Sequence, residues 1–163
     1  MPPNLPLEVR KELAEAISVC RETSIDIGYG RGEVDFRKAV SIVDLNGDGL
    51  PDYIVEHIKF ECDAGASIYS GNGPGTLSIY AGLPNGYARL AFLDAGYESS
   101  YIDRTSGKPR FYVSTSGGGC GQDTRHVTKA ELEFCYRPIK WNAAKRRFEF
   151  DSLSTIRKRN PRY

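Results

Sequence analysis

Methionine and tryptophan occur once each in these 163 residues and histidine only twice. No stretch is long or apolar enough to span a bilayer, so membrane insertion is not expected. Charge of either sign is not in excess: 22 basic residues against 21 acidic leave a net +1. Such a chain has no global field to gather nucleic acid or an anionic surface, and nucleic acid is not expected as a partner. The start, Met1-Pro2-Pro3-Asn4, has no charged region followed by an apolar run, so the chain reads as a mature form without a signal peptide. Also missing are a phosphate loop, a nucleophile elbow and any acid–base pair with motif support, which argues against a catalytic centre.

Cysteine is present but in no C-x-x-C pair, and only His57 and His126 could supplement Cys20, Cys62, Cys120 and Cys135 as zinc ligands. Four such cysteines fit two disulfides better than a metal site, and disulfides point to a secreted or periplasmic protein. Seventeen glycines and 40% hydrophobic residues suggest a compact, loop-rich β protein. One exception comes first. Val9, Leu13, Ala16, Ile17 and Cys20 make one apolar face, which predicts an amphipathic helix over 7–22, with Pro6 tolerated before its first turn. After Ile25 the pattern is of short strands: Leu77/Ile79, Leu132/Phe134/Tyr136 and Phe148/Phe150 alternate with polar neighbours. Turn-forming clusters at 71–75, 84–86, 106–109 and 117–119 separate them. The expected class is mainly β, α+β by count, with the helix packed on an antiparallel sheet.

The most specific segment is Asp44-Leu-Asn-Gly-Asp-Gly-Leu-Pro-Asp52. Calcium takes six to eight oxygen ligands at ~2.3–2.6 Å, and a loop can supply them from alternate positions. Asp44, Asn46 and Asp48 would give side-chain oxygens, Leu50 its carbonyl and Asp52 a further carboxylate, with Gly49 at the sharp turn. Val55 stands where a helix-loop-helix calcium site has its bidentate Glu, and the flanks 39–43 and 53–55 are β-branched and aromatic. The loop therefore joins two strands.

In that context Val43 to Val55 resembles the calcium loop of FG-GAP/VCBS-type repeats: an apolar strand, D-x-N-x-D-G-x-x-D, and a second apolar strand. The resemblance implies Ca2+ bound by Asp44, Asn46, Asp48, Leu50 and Asp52 inside an antiparallel, blade-like β unit of an exported protein.

A degenerate second copy follows. At one offset of 58 residues Gly49, Pro51, Val55 and Cys62 fall on Gly107, Pro109, Val113 and Cys120, and Asp44 meets Asp103 after a one-residue gap. Arg110 replaces Asp52 there, so a guanidinium would stand in for the cation. Residues 1–163 are expected to form one domain: helix 7–22, a first β unit at about 34–93, a second at about 97–152, and a basic tail at 153–163. Four cysteines allow three connectivities. The repeat selects Cys120–Cys135 within the second copy, leaving Cys62 to reach Cys20 and tie the helix to the sheet.

Other features attract less. Cys120 in Gly117-Gly-Gly-Cys-Gly-Gln122 would be oxidised, not a nucleophile, and His57 is a soft choice for calcium. Tyr69, Tyr80, Tyr87, Tyr97 and Tyr101 lie in or beside turn-rich segments, where tyrosine often serves contact. The expected function is that of a non-enzymatic, calcium-binding exported β module that binds a protein, as an envelope inhibitor or immunity protein does, or a glycan. Two units cannot close a propeller, so a monomer with capped edges or a weak oligomer is expected. An alternative of another class is a calcium-dependent hydrolase of cell-wall or extracellular polymers using Glu56, Glu61 and Asp63.

Overall fold

The computed structural model describes residues 4–65, 68–69 and 74–158. The chain is mainly β: among the described residues there are one α-helix and ten strands in three antiparallel, open sheets. Helix α1 spans Leu7–Ile27, five residues beyond the expected end at Glu22. Its core-facing residues Val9, Leu13, Ala16 and Cys20 keep helical spacing, and Ser24 continues that face. The extension was not legible because Ile25 and Ile27 are 79% and 56% exposed and so break the apolar periodicity. Gly28 ends the helix at φ 64, and the amides of Gly28 and Tyr29 close onto the carbonyls of Ile25 and Ser24.

Strands β2 (Val40–Val43), β3 (Asp52–Glu56), β5 (Gly75–Gly82) and β6 (Ala88–Tyr97) form the first four-stranded meander, in the order β2-β3-β5-β6. Strands β7 (Ser100–Asp103), β8 (Arg110–Ser116), β9 (Phe134–Asn142) and β10 (Arg147–Phe150) form the second, in the order β7-β8-β9-β10. The two-residue strands β1 (Val34–Asp35) and β4 (Glu61–Cys62) pair beside them.

The layers follow from the period-2 alternation of side chains. On β3, Tyr53 and Val55 face α1 and pack with Val9, Leu13 and Tyr80, whereas Ile54 points the other way. There it joins Leu77 and Ile79 against Phe111, Val113, Ile139 and Phe148 of the second sheet. Buried on both faces, β3 carries the apolar triplet Tyr53-Ile54-Val55 between two buried acids, Asp52 and Glu56. Helix, first sheet and second sheet thus stack in that order.

Both disulfides are formed. Cys20–Cys62 ties α1 to β4, and Cys120–Cys135 ties the turn after β8 to β9. Among the described residues no helix is long and apolar enough to cross a membrane. Residues 71–73 of one expected turn and 159–163 of the tail lie outside the described residues. The rest of the tail is part of the fold rather than a solvated run: Arg157 pairs through its backbone with Tyr136, lies over the Tyr112 ring and meets Asp103 at 2.8 Å.

Candidate functional site

The Asp44–Pro51 loop joins β2 to β3, whose last pair is Val43 opposite Asp52. Gly47 and Gly49 take φ of 81° and 83°, a left-handed geometry that glycine adopts without steric cost. The turn so made aims backbone amides at the loop's own oxygens. Asp44 accepts the Gly47 amide at 2.7 Å on Oδ1 and the Gly49 amide at 2.9 Å on Oδ2. Asp48 accepts the Leu50 amide and the Asn46 side-chain amide, while the Asp48 amide donates to Asn46 Oδ1. Asp52 is fully buried and accepts three amides: Leu45 and Asn46 on Oδ2, Gly82 of β5 on Oδ1.

A carboxylate offers about four lone-pair sites. These bonds leave two on Asp44, two on Asp48 and one on Asp52, on side chains already oriented by backbone amides. The donor set is all oxygen, which suits a hard cation. Its electrostatics point the same way. Burial pushes the Asp52 carboxyl above the usual carboxylate range against the pull of the Gly82, Leu45 and Asn46 amides, and the Asp48 charge pushes it further up. Among the described residues no ion pair reaches Asp44, Asp48 or Asp52.

The three carboxylates do not converge on one point. The one trio of acid, histidine or cysteine ligand atoms lying within 4.8 Å of one another among the described residues is Cys20, Cys62 and Asp63. Its two sulfurs are joined to each other, so that trio is not a cation site. Beside the Asp44–Pro51 loop, a hollow of about 410 Å³ opens toward the β7–β8 turn, with Lys108 and Pro109 on its far wall.

In the second hairpin Arg110 does not take the cation's place. Its guanidinium pairs with Asp151 at 3.3 Å, and Asp103 is met by Arg157 from the tail and by the amide and hydroxyl of Thr105. These bonds hold the Asp103 carboxyl down at about 2, with Thr105 contributing first.

The carboxylates of the hydrolase alternative are divided. Glu56 is 2% exposed and holds Lys59 at 2.5 Å and the Ser100 hydroxyl, in a cleft between the sheets. Glu61 and Asp63 line a separate hollow. Glu61 pairs with Lys38 at 2.9 Å; Asp63 caps the amides of Arg31 and Glu33, which lower its pKa. A general acid needs the opposite shift.

Sequence reasoning passed over one cluster. Glu12 of α1 receives His57 Nε2 at 2.5 Å, the Ser78 hydroxyl at 2.8 Å and the Tyr80 hydroxyl at 2.6 Å. Burial works to raise the Glu12 carboxyl, yet the bonds from His57, Tyr80 and Ser78 outweigh it and leave it lowered. The donors are 45, 66 and 68 residues from Glu12, and no local motif announces such a hub. Of the tyrosines proposed for contact, Tyr80, Tyr97 and Tyr101 are buried, the first two in the packed cores, whereas Tyr87 is 58% exposed. Comparison with protein-family models, with curated proteins and with solved structures finds no match.

Proposed function

We propose that this chain is an exported, disulfide-stapled β module whose Asp44–Asp52 loop takes Ca2+, and that it acts by binding another macromolecule rather than by catalysis. The observation that carries the reading is a buried carboxylate, Asp52, pushed up by burial and by the Asp48 charge, in a loop whose acids have no protein counter-ion among the described residues. Asp44, Asn46, Asp48, the Leu50 carbonyl and Asp52 would hold the ion, with water completing the shell. Bound calcium would neutralise the loop and hold β2 and β3 in register.

Export is supported by the two disulfides, which persist in oxidising compartments. A binding role is supported by the division of Glu56 from Glu61 and Asp63 and by the structural bonds that each makes. Titration calorimetry with calcium and with magnesium tests the metal half of the reading. Calcium-specific heat is expected, with a weak Kd on the order of 10⁻⁵ to 10⁻³ M because the loop lacks a bidentate Glu, and it should be lost in Asp48→Ala. No heat, or equal heat in Asp48→Ala, refutes it.

A further inference from the structure

The two four-stranded sheets have four outer edges, and three of them, β2, β7 and β10, are strands of four residues. The fourth, β6, is ten residues long and, among the described residues, pairs with no strand on its open side. Open strand edges invite pairing, and proteins usually keep them short. A bulge at Ala91, where Ile79 opposes Phe92 and Tyr80 opposes Leu90, sets which way the β6 side chains face. Leu90 and Leu93 lie opposite Tyr80 and Ser78 on the helix side, where they are 46% and 61% exposed. Arg89 lies opposite Ala81 on the side of the second sheet and reaches across to the Arg146 carbonyl. Its Nε is buried without a hydrogen-bond partner.

Between β6 and β10 runs a groove of about 560 Å³. Arg89, Lys145, Arg146 and Arg147 line it against a single carboxylate, Glu149, which Lys145 and Arg147 share. Phe92 and Phe150, edge to face at 5.5 Å, stand in its lining. One side of the β6 edge is therefore apolar and the other cationic.

We propose that the open edge of β6 is a docking strip for an extended segment of a partner protein in which acidic and apolar residues alternate. The proposal rests on the binding-module reading and names the surface and the chemistry of the partner. A strand added to β6 makes main-chain hydrogen bonds along the edge, and its side chains alternate between faces. One row covers Leu90 and Leu93; the other puts carboxylates toward Arg89 and the cations Lys145, Arg146 and Arg147.

The test is fluorescence anisotropy of a labelled octapeptide of alternating glutamate and valine, titrated with the full chain in calcium buffer. Saturable binding is expected, weakened at least about tenfold when alternate peptide amides on one edge are N-methylated. The charge-reversed pair Arg146→Glu/Arg147→Glu should weaken it by a similar factor, with the chain still folded by circular dichroism under the assay conditions. Amide shifts on peptide addition should concentrate on 88–93. Absence of saturable binding, an N-methylated peptide that binds as well, or an equally tight complex with heparin that leaves the β6 amides unshifted would each overturn the proposal. Peptide binding retained in an Asp48→Ala variant that has lost calcium leaves the strip standing; calcium heat without peptide binding refutes the strip and leaves the metal reading intact.

Discussion

Asp48 lies within the loop and Asp52 closes it at the start of β3, and the two should fail differently, because Asp52 carries structural bonds that Asp48 does not. Asp52→Ala orphans the amides of Leu45, Asn46 and Gly82, the last inside the sheet. A hydrogen bond to a charged group is worth about 1.5–3 kcal/mol, but the loop amides of Leu45 and Asn46 can turn to water. Removing an acid whose ionisation burial already opposes also recovers part of the loss. The net cost should be about 3 kcal/mol in chelator. Asp48 is exposed and holds only the Leu50 amide and the Asn46 side chain, so Asp48→Ala should cost about 1 kcal/mol or less there. With calcium at a hundredfold excess over Kd, the wild type gains RT ln(1 + [L]/Kd), about 2.7 kcal/mol, and Asp48→Ala should lose most of that gain. Urea titrations followed by Trp141, half-buried at the interface of the sheets, measure all four quantities. Equal costs for the two variants in chelator, or a wild type that gains nothing from calcium over magnesium, would show that the loop is a hydrogen-bonded turn and nothing more.

The disulfides should differ in weight. Loop-closure entropy over separations of 42 and 15 residues gives about 4 kcal/mol for Cys20–Cys62 and about 3 kcal/mol for Cys120–Cys135, to be read from denaturation of the paired serine variants. Glu12 has a folded pKa below its unfolded value, so its contribution is complete above the ordinary Glu range and is lost as pH falls through the folded value. Stability measured against pH should flatten there in Glu12→Gln. Asp103, held at about 2, should lose its contribution between about pH 4 and pH 2, and Asp103→Asn should remove that step and release the Arg157 contact, seen as exchange of the Tyr136 amide. Gly82→Ala would place a methyl 2.2 Å from the Pro51 carbonyl oxygen and should cost about 2 kcal/mol or more by chemical denaturation.

The elements that were legible in the sequence are those that local chemistry determines. Val9, Leu13 and Ala16 announced the helix, and β-branched residues on both sides of Asp44–Asp52 announced a strand-loop-strand hairpin. The even cysteine count together with the 58-residue offset led to Cys20–Cys62 and Cys120–Cys135, the pairs that form. What escaped lies in pairings across long stretches of chain. The Glu12 hub draws on α1, β5 and the turn after β3, and Arg157 reaches Asp103 from 54 residues away. Arg157 stands in a basic tail, and only the fold shows Tyr112 and Tyr136 providing a surface for it. Tyr97 and Tyr101 misled for a related reason. Turn-rich neighbours suggest exposure, but strand alternation buries every second side chain, and both rings are 5% exposed or less.

The two hairpins bear on the reading of the loop more than either does alone. Both close a β pair after an aspartate near the end of the first strand, Asp44 in one and Asp103 in the other. In the second, the protein meets the charge itself: Arg157 answers Asp103, while the hairpin's own Arg110 pairs with Asp151, which follows β10. An acid brought into a partly buried position is stable when a cation or enough donors attend it. The first hairpin brings three carboxylates into one loop and gives them backbone amides but, among the described residues, no lysine or arginine in an ion pair. Lys108 lines the neighbouring hollow without bonding to them. A fold that answers Glu56, Asp103 and Asp151 with lysine or arginine, and supplies neither here, leaves a charge that a divalent ion from solution would balance. That asymmetry between two like hairpins, and not the spacing of Asp44, Asn46 and Asp48 by itself, is the physical case for calcium.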